Sequence, residues 1–277
     1  MRERISFISV LTMFLAIGFV IIFSRPVKAA ANGVILKSNR TYAAYDVTGD
    51  GMKDKIRIRA ANQTDDEAYS SLTVSVNGKT AYRLKNTRFY NVIANIYTLK
   101  NGQPFLYLYA PAENGDGPVC ALLKYTNGKF RKALDFTEIM AGYGNHRIGE
   151  VTNLNGNKIV ITESIVSYSL GINAINFTYE YVNGKFVPTS RYGSYKEIYS
   201  ADGSSRYFTV NSDLPAYTRP GATAVNTTLK TGSLTKIIKC ALINGKMYIQ
   251  LECDGEIYWI KALENPPIAD NERQFME

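Results

Sequence analysis

The residues best placed for chemistry are three acids in a nine-residue run, Asp46-Val-Thr-Gly-Asp-Gly-Met-Lys-Asp54. Oxygens at alternate positions of such a run can converge on one hard cation: Asp46, Thr48, Asp50, the carbonyl of Met52, and Asp54. Gly51 permits the sharp turn this requires. Three carboxylates on one short loop repel each other, which a divalent ion such as Ca2+ relieves. An acidic β-turn holding no ion is the plain alternative. Reaction chemistry has less to draw on. His146 is the sole histidine, and no Gly-x-Ser-x-Gly elbow occurs. Ser233-Leu-Thr-Lys236 falls in an expected strand, whereas a Ser-x-x-Lys nucleophile needs a helical turn to bring lysine to serine. Asp65, Asp66 and Glu67 read as a solvated turn. Two separated carboxylates working as in a glycosidase stay open as an option. No catalytic residue is assigned, and the chain is expected not to be an enzyme.

The elements that must position these residues are strands. From Gly33 onward apolar and polar residues alternate with period two, most clearly over Asp54–Arg59, Phe105–Tyr109, Gly117–Tyr125 and Phe177–Val182. Arg57 stands where an EF-hand places its bidentate glutamate, and the acidic run leads into a strand, so the loop is not an EF-hand. Asn77-Gly78, Asn127-Gly128 and Asn183-Gly184 each close a strand, at intervals of 50 and 56 residues. The three units open on Asp50-Gly51, Asn101-Gly102 and Asn155-Gly156. A period of about 50 residues with several strands per unit is the rhythm of β-propeller blades. Consecutive hairpins of a sandwich give the same rhythm, and a closed propeller needs about four blades where three are visible. Short helices are expected around Phe136–Met140 and Tyr195–Tyr199.

The acidic run resembles the calcium loops of FG-GAP/VCBS-type, integrin-like propeller blades, with the form Asp-x-Asn-Gly-Asp-Gly-x-x-Asp before a strand. That resemblance implies Ca2+ held by Asp46, Asp50 and Asp54, with Thr48 and the Met52 carbonyl completing the set. The neutral Thr48 implies weak affinity. The other two units lack the acids, placing Tyr97, Leu99 and Phe105 in one and Val151, Asn153 and Ile159 in the other. Toward the C-terminus, Ala216-Tyr-Thr-Arg-Pro-Gly221, Leu229-Lys-Thr-Gly232 and Asp254-Gly-Glu-Ile-Tyr-Trp-Ile260 resemble a bacterial Src-homology-3-type domain, without the usual second glycine of the closing segment. The resemblance implies a peptidoglycan- or protein-binding groove using Tyr217, Tyr258 and Trp259. Core aromatics are the alternative reading of the three.

The expected fold is therefore all-β. A propeller-like array of about three antiparallel units covers 33–190, a linker 191–205, a small Src-homology-3-like barrel 206–264, and a disordered tail 265–277. Residues 1–30 read as a signal peptide: Arg2 and Arg4, the apolar run Ile5–Phe23, then Val27-Lys-Ala29 before Ala30. The run has 19 residues, close to the ~20 that span a bilayer, so an uncleaved anchor is the alternative. Either way the remainder is expected outside the membrane. The formal charge of +8 becomes +5 once residues 1–30 leave with four basic residues and one acid. Lysines and arginines are scattered along the chain with no dense run, and no nucleic acid partner is expected. Cys120, Cys240 and Cys253 fit neither a disulfide framework nor a zinc site and are expected to be buried thiols. Around the turn at Asn244, residue 249 is expected opposite Cys240 and residue 236 opposite Cys253. The function expected is non-catalytic binding at a bacterial cell envelope, to wall polymer or a surface protein. Its rivals are a wall or glycan hydrolase and a membrane-anchored regulatory ectodomain.

Overall fold

Three antiparallel meanders of four strands follow one another in the computed structural model, which describes residues 34–64, 66–113, 117–139, 148–167, 171–200, 203–204, 206–244 and 246–262. The signal segment, the tail and His146 lie outside the described residues. After β1 (Val34–Ile35), the first meander is β2 (Thr41–Tyr45), β3 (Asp54–Gln63), β4 (Tyr69–Val76) and β5 (Lys79–Phe89). The second is β6 (Ile93–Thr98), β7 (Pro104–Ala110), β8 (Val119–Thr126) and β9 (Lys129–Asp135), with β1 paired to β6 at its edge. A single helical turn, α1 (Phe136–Ile139), leads to the third: β10 (Ile148–Asn155), β11 (Lys158–Ser167), β12 (Gly171–Val182) and β13 (Lys185–Pro188). The three closing turns work as their residues require. Asn77 and Gly78 take φ of 50° and 79°, Asn127 and Gly128 49° and 77°, and Asn183 and Gly184 50° and 84°. Two successive positive φ values make the tight hairpin turn that matches strand twist, and Asn-Gly is the pair that adopts it at least cost.

The second sheet is a middle layer, and its sequence shows why. On β7, Leu106, Leu108 and Ala110 enter one core while Phe105, Tyr107 and Tyr109 enter another. On β8, Val119, Ala121 and Leu123 face the first core and Cys120 and Leu122 the second. One core is aliphatic and shared with the first sheet through Ile56, Ile58, Leu72 and Val74. The other is rich in aromatic rings and shared with the third sheet through Ile159, Ile161, Ile175 and Phe177. A strand buried on both faces loses polar alternation, which is why β7 reads as an almost unbroken apolar run. The first sheet is an outer layer. Along β3, Ile56, Ile58 and Ala60 are buried and Lys55, Arg57 and Arg59 are exposed.

The stretch 191–205, expected as a linker, carries strand β14 (Tyr192–Ser200), and the helix expected at Tyr195–Tyr199 is part of it. Tyr195 and Ile198 are buried, and β14 pairs both with β12 and with β19 (Leu234–Ile243). The sheet thus runs without a break from the third meander into the C-terminal strands. Gly193 is the close approach that allows it: a Cβ there would lie 2.5 Å from Phe177 Cε1 and 2.7 Å from Ile175 Cγ2. Beyond come β15 (Gly203–Ser204), β16 (Tyr207–Thr209), β17 (Leu214–Ala216) and β18 (Thr227–Leu229). The long β19 then continues through β20 (Lys246–Cys253) to β21 (Glu256–Lys261). Tyr217 pairs with Trp259 through two backbone bonds, of 2.7 and 2.8 Å, linking the start of this unit to its last strand.

Cys120, Cys240 and Cys253 are free and buried. Ile249 faces Cys240 as expected, but Lys236 faces Glu252 and not Cys253. An irregularity between Ile237 and Lys239 moves the register by one residue, the effect of a bulge.

Candidate functional site: the acidic loop and its cleft

The acidic run forms the turn between β2 and β3, and hydrogen bonds within it replace the mutual repulsion expected of its carboxylates. Asp54 opens β3 and is buried. Its Oδ2 accepts the Val47 and Thr48 N–H groups at 2.7 and 2.9 Å. Its Oδ1 accepts the Asn77 side-chain amide at 2.6 Å and the Thr48 hydroxyl at 3.3 Å. Asp46 accepts the N–H groups of Gly49, Gly51 and Asp50 at 2.6, 2.7 and 3.2 Å, and the Thr48 hydroxyl lies 3.3 Å from its Oδ1. Partial burial works against ionisation of Asp46, but the N–H groups of Gly51 and Gly49 and the Thr48 hydroxyl outweigh it and hold the carboxyl below its ordinary range. Gly49 and Gly51, at φ of 79° and 85°, give the loop the positive-φ steps that aim these N–H groups inward.

Of the residues expected as metal ligands, the structure brings together Asp46, Thr48 and Asp54. Asp50 is exposed and accepts its own loop's Met52 N–H at 2.8 Å. Met52 projects its side chain into solvent, 69% exposed. The donor set is all oxygen, as a hard cation prefers. Yet Asp46 and Asp54 each accept three N–H hydrogen bonds and both lie within reach of the one Thr48 hydroxyl proton, so most of the roughly four lone-pair sites of each carboxylate are taken. Among the described residues no group of three or more His, Cys, Asp or Glu side chains is arranged to hold a metal ion. The sequence reading overlooked Asn77. Besides its bond to Asp54, its Oδ1 accepts the Lys55 N–H at 2.8 Å, so the turn that closes the meander also clamps the loop that opens it. The corresponding residues of the other units, Tyr97, Leu99, Phe105, Val151 and Ile159, are buried core side chains. There apolar packing holds the turn where carboxylates hold the first.

Beside the loop lies an open cleft of about 710 Å³ between the first and second meanders. Tyr45, Asp46 and Thr48 form one wall; Asn101, Gln103, Lys124 and Tyr125 form the other. Lys124 donates to the Tyr181 hydroxyl at 2.9 Å and sits over that ring at 5.5 Å, which fixes its position from the third sheet. The lining combines amides, hydroxyls, phenol rings, one cation and one anion.

The aromatic residues expected to share a groove do not. Tyr217 and Trp259 are buried together with Ala241 and Tyr248 in a small core of their own. Tyr258 points to the opposite face of β21 and packs on the aromatic core. The exposed ring nearby is Tyr192, tilted against Trp259 at 5.9 Å with Lys239 Nζ 4.5 Å from its centre. Glu163 on β11 is a fully buried acid. Burial, with the Glu163 charge behind it, pushes the Cys120 thiol up to about 12. Compared with known proteins, the chain matches no family model, no curated protein and no solved structure.

Proposed function

We propose that the chain is a non-catalytic, exported binding protein of a bacterial cell envelope, and that its ligand is wall polymer or a surface protein. The observation that carries the reading is the cleft beside the acidic loop. Its volume lies in the range of ligand sites, and its amides, hydroxyls and phenol rings suit a hydroxyl-rich ligand such as a glycan. The succession of four-stranded meanders stacked face to face supports the propeller-like reading of 33–190, as an open array. The backbone bridge from Tyr217, just after β17, to Trp259 on the last strand supports the Src-homology-3-like reading of 206–264. In this reading Ca2+ binds the loop weakly, since Asp46 and Asp54 already give most of their lone pairs to protein donors. Export rests on residues 1–30.

The test is sedimentation of the full mature chain with purified cell walls. Binding that falls when Gln103 and Tyr125 are replaced by alanine is the expected result. Release of soluble wall fragments would turn the reading toward the hydrolase. Absence of sedimentation, together with an intact Ile5–Phe23 segment in the cell-derived protein by mass spectrometry, would favour the anchored ectodomain.

A further inference from the structure

The basic residues that look scattered in the sequence are gathered by strand pairing. The outward face of the first sheet carries Lys55, Arg57 and Arg59 on β3 and Arg83 and Lys85 on β5, all exposed. The register fixes the arrangement. Arg59 faces Thr73, which faces Arg83; Arg57 faces Ser75; Ser71 faces Lys85. Two cationic rows therefore flank a central row of hydroxyls. Same-face neighbours along a strand are about 6.6 Å apart, and the rows about 10 Å apart across the intervening strand.

Among the described residues no acid is paired with this face. The single carboxylate within β2 to β5 is Asp54, which is buried and held by Val47, Thr48 and Asn77. Among the described residues none of the five cations is paired with a carboxylate; Asp66, in the turn beyond β3, goes to Arg88 instead. Like charges on neighbouring positions of a sheet face repel and weaken the sheet, and soluble surfaces ordinarily intersperse both signs. A fold that keeps five cations on one flat face has a use for the potential they create.

The chemistry of the face selects the partner. Phenol rings of β2, β4 and β5 (Tyr42, Tyr45, Tyr69 and Tyr82) pack toward the aliphatic core, so the cationic face presents none of these rings for stacking on a base and no apolar side chain larger than alanine for entry into a bilayer. It offers guanidinium forks, which match phosphate oxygens, and hydroxyls between them. We propose that the outer face of the first sheet binds a linear phosphate-linked polymer, laid along the hydroxyl row between the two cationic rows. This surface is distinct from the cleft. The choice of a wall polymer as the source of the phosphates rests on the envelope reading above.

The experiment uses the full mature chain on immobilised poly(glycerol phosphate), with poly(glutamate), duplex RNA and anionic lipid vesicles as comparators. The variants are R57E/R83E and, as a control of equal charge change on distant exposed sites, K185E/K246E. Expected are retention on poly(glycerol phosphate) that falls steeply with salt, and a loss of about tenfold or more in R57E/R83E with the control close to wild type. Unchanged melting of both variants shows that folding is not the cause. Equal loss in the control means diffuse charge and overturns the site; tighter binding to RNA, vesicles or poly(glutamate) overturns the polymer class. Sedimentation separates the two readings. Equal binding to walls stripped of their phosphate polymer overturns this proposal and leaves wall binding standing. Retention on poly(glycerol phosphate) by a protein that sediments with no wall keeps the surface and removes the envelope reading.

Discussion

At the scale of residues, the acidic loop shows how a local motif can be read correctly as a unit and incompletely in its chemistry. The alternating oxygens and the glycine turn are visible in the sequence. The compensation of the carboxylates by backbone N–H groups is not, because it depends on φ values and on Asn77, 23 residues beyond Asp54. Replacing Asn77 by glycine keeps the positive φ but removes the bonds to Asp54 and Lys55 N–H. A hydrogen bond to a charged group contributes about 1.5–3 kcal/mol, so a loss of about 2 kcal/mol is expected by denaturant unfolding. The same change at Asn127, whose side chain has no such clamp, should cost less. Acid provides a second measurement. The folded-state Asp46 carboxyl is depressed, so its stabilisation is full above the unfolded value of about 4 and disappears as pH falls through the lower folded value. Wild type should therefore lose stability more steeply below about pH 4 than Asp46→Asn. For calcium, melting with millimolar Ca2+ and then with chelator should give a small upward shift that vanishes in Asp46→Ala. No shift in either protein removes the ion from the loop.

At the scale of elements, most of the organisation was legible. The Asn-Gly turns and their spacing gave the meanders, because a two-residue turn with both φ values positive is a purely local demand. The boundary at 191–205 was misread. Its Ser, Tyr and Gly residues carry no turn signal strong enough to reveal a strand, and Tyr195 and Ile198 are buried by partners distant in the chain. The cationic face was half visible: Lys55, Arg57 and Arg59 alternate within one strand, while Arg83 and Lys85 join them through register alone. Gly193 belongs to this scale, since it sets how closely β14 crosses Phe177 and Ile175. Gly193→Ala should cost about 1–3 kcal/mol by overpacking, measured as a lower denaturation midpoint with an unchanged slope. A neutral outcome would mean that β14 can move off the aromatic core.

At the scale of the whole molecule, the three meanders and the C-terminal strands share cores instead of dividing at a hinge. One consequence concerns opening. The amides of β7 and β8 lie in a layer with protein on both sides, so no local fraying brings solvent to them. In deuterium exchange they should be the slowest protons of the chain, released at a rate set by global unfolding, while β2 at the open rim exchanges early. The central sheet would then act as a lock in time. If the chain is exported as proposed, this arrangement would resist proteases outside the cell for as long as its innermost layer stays closed, whatever its surface loops are doing.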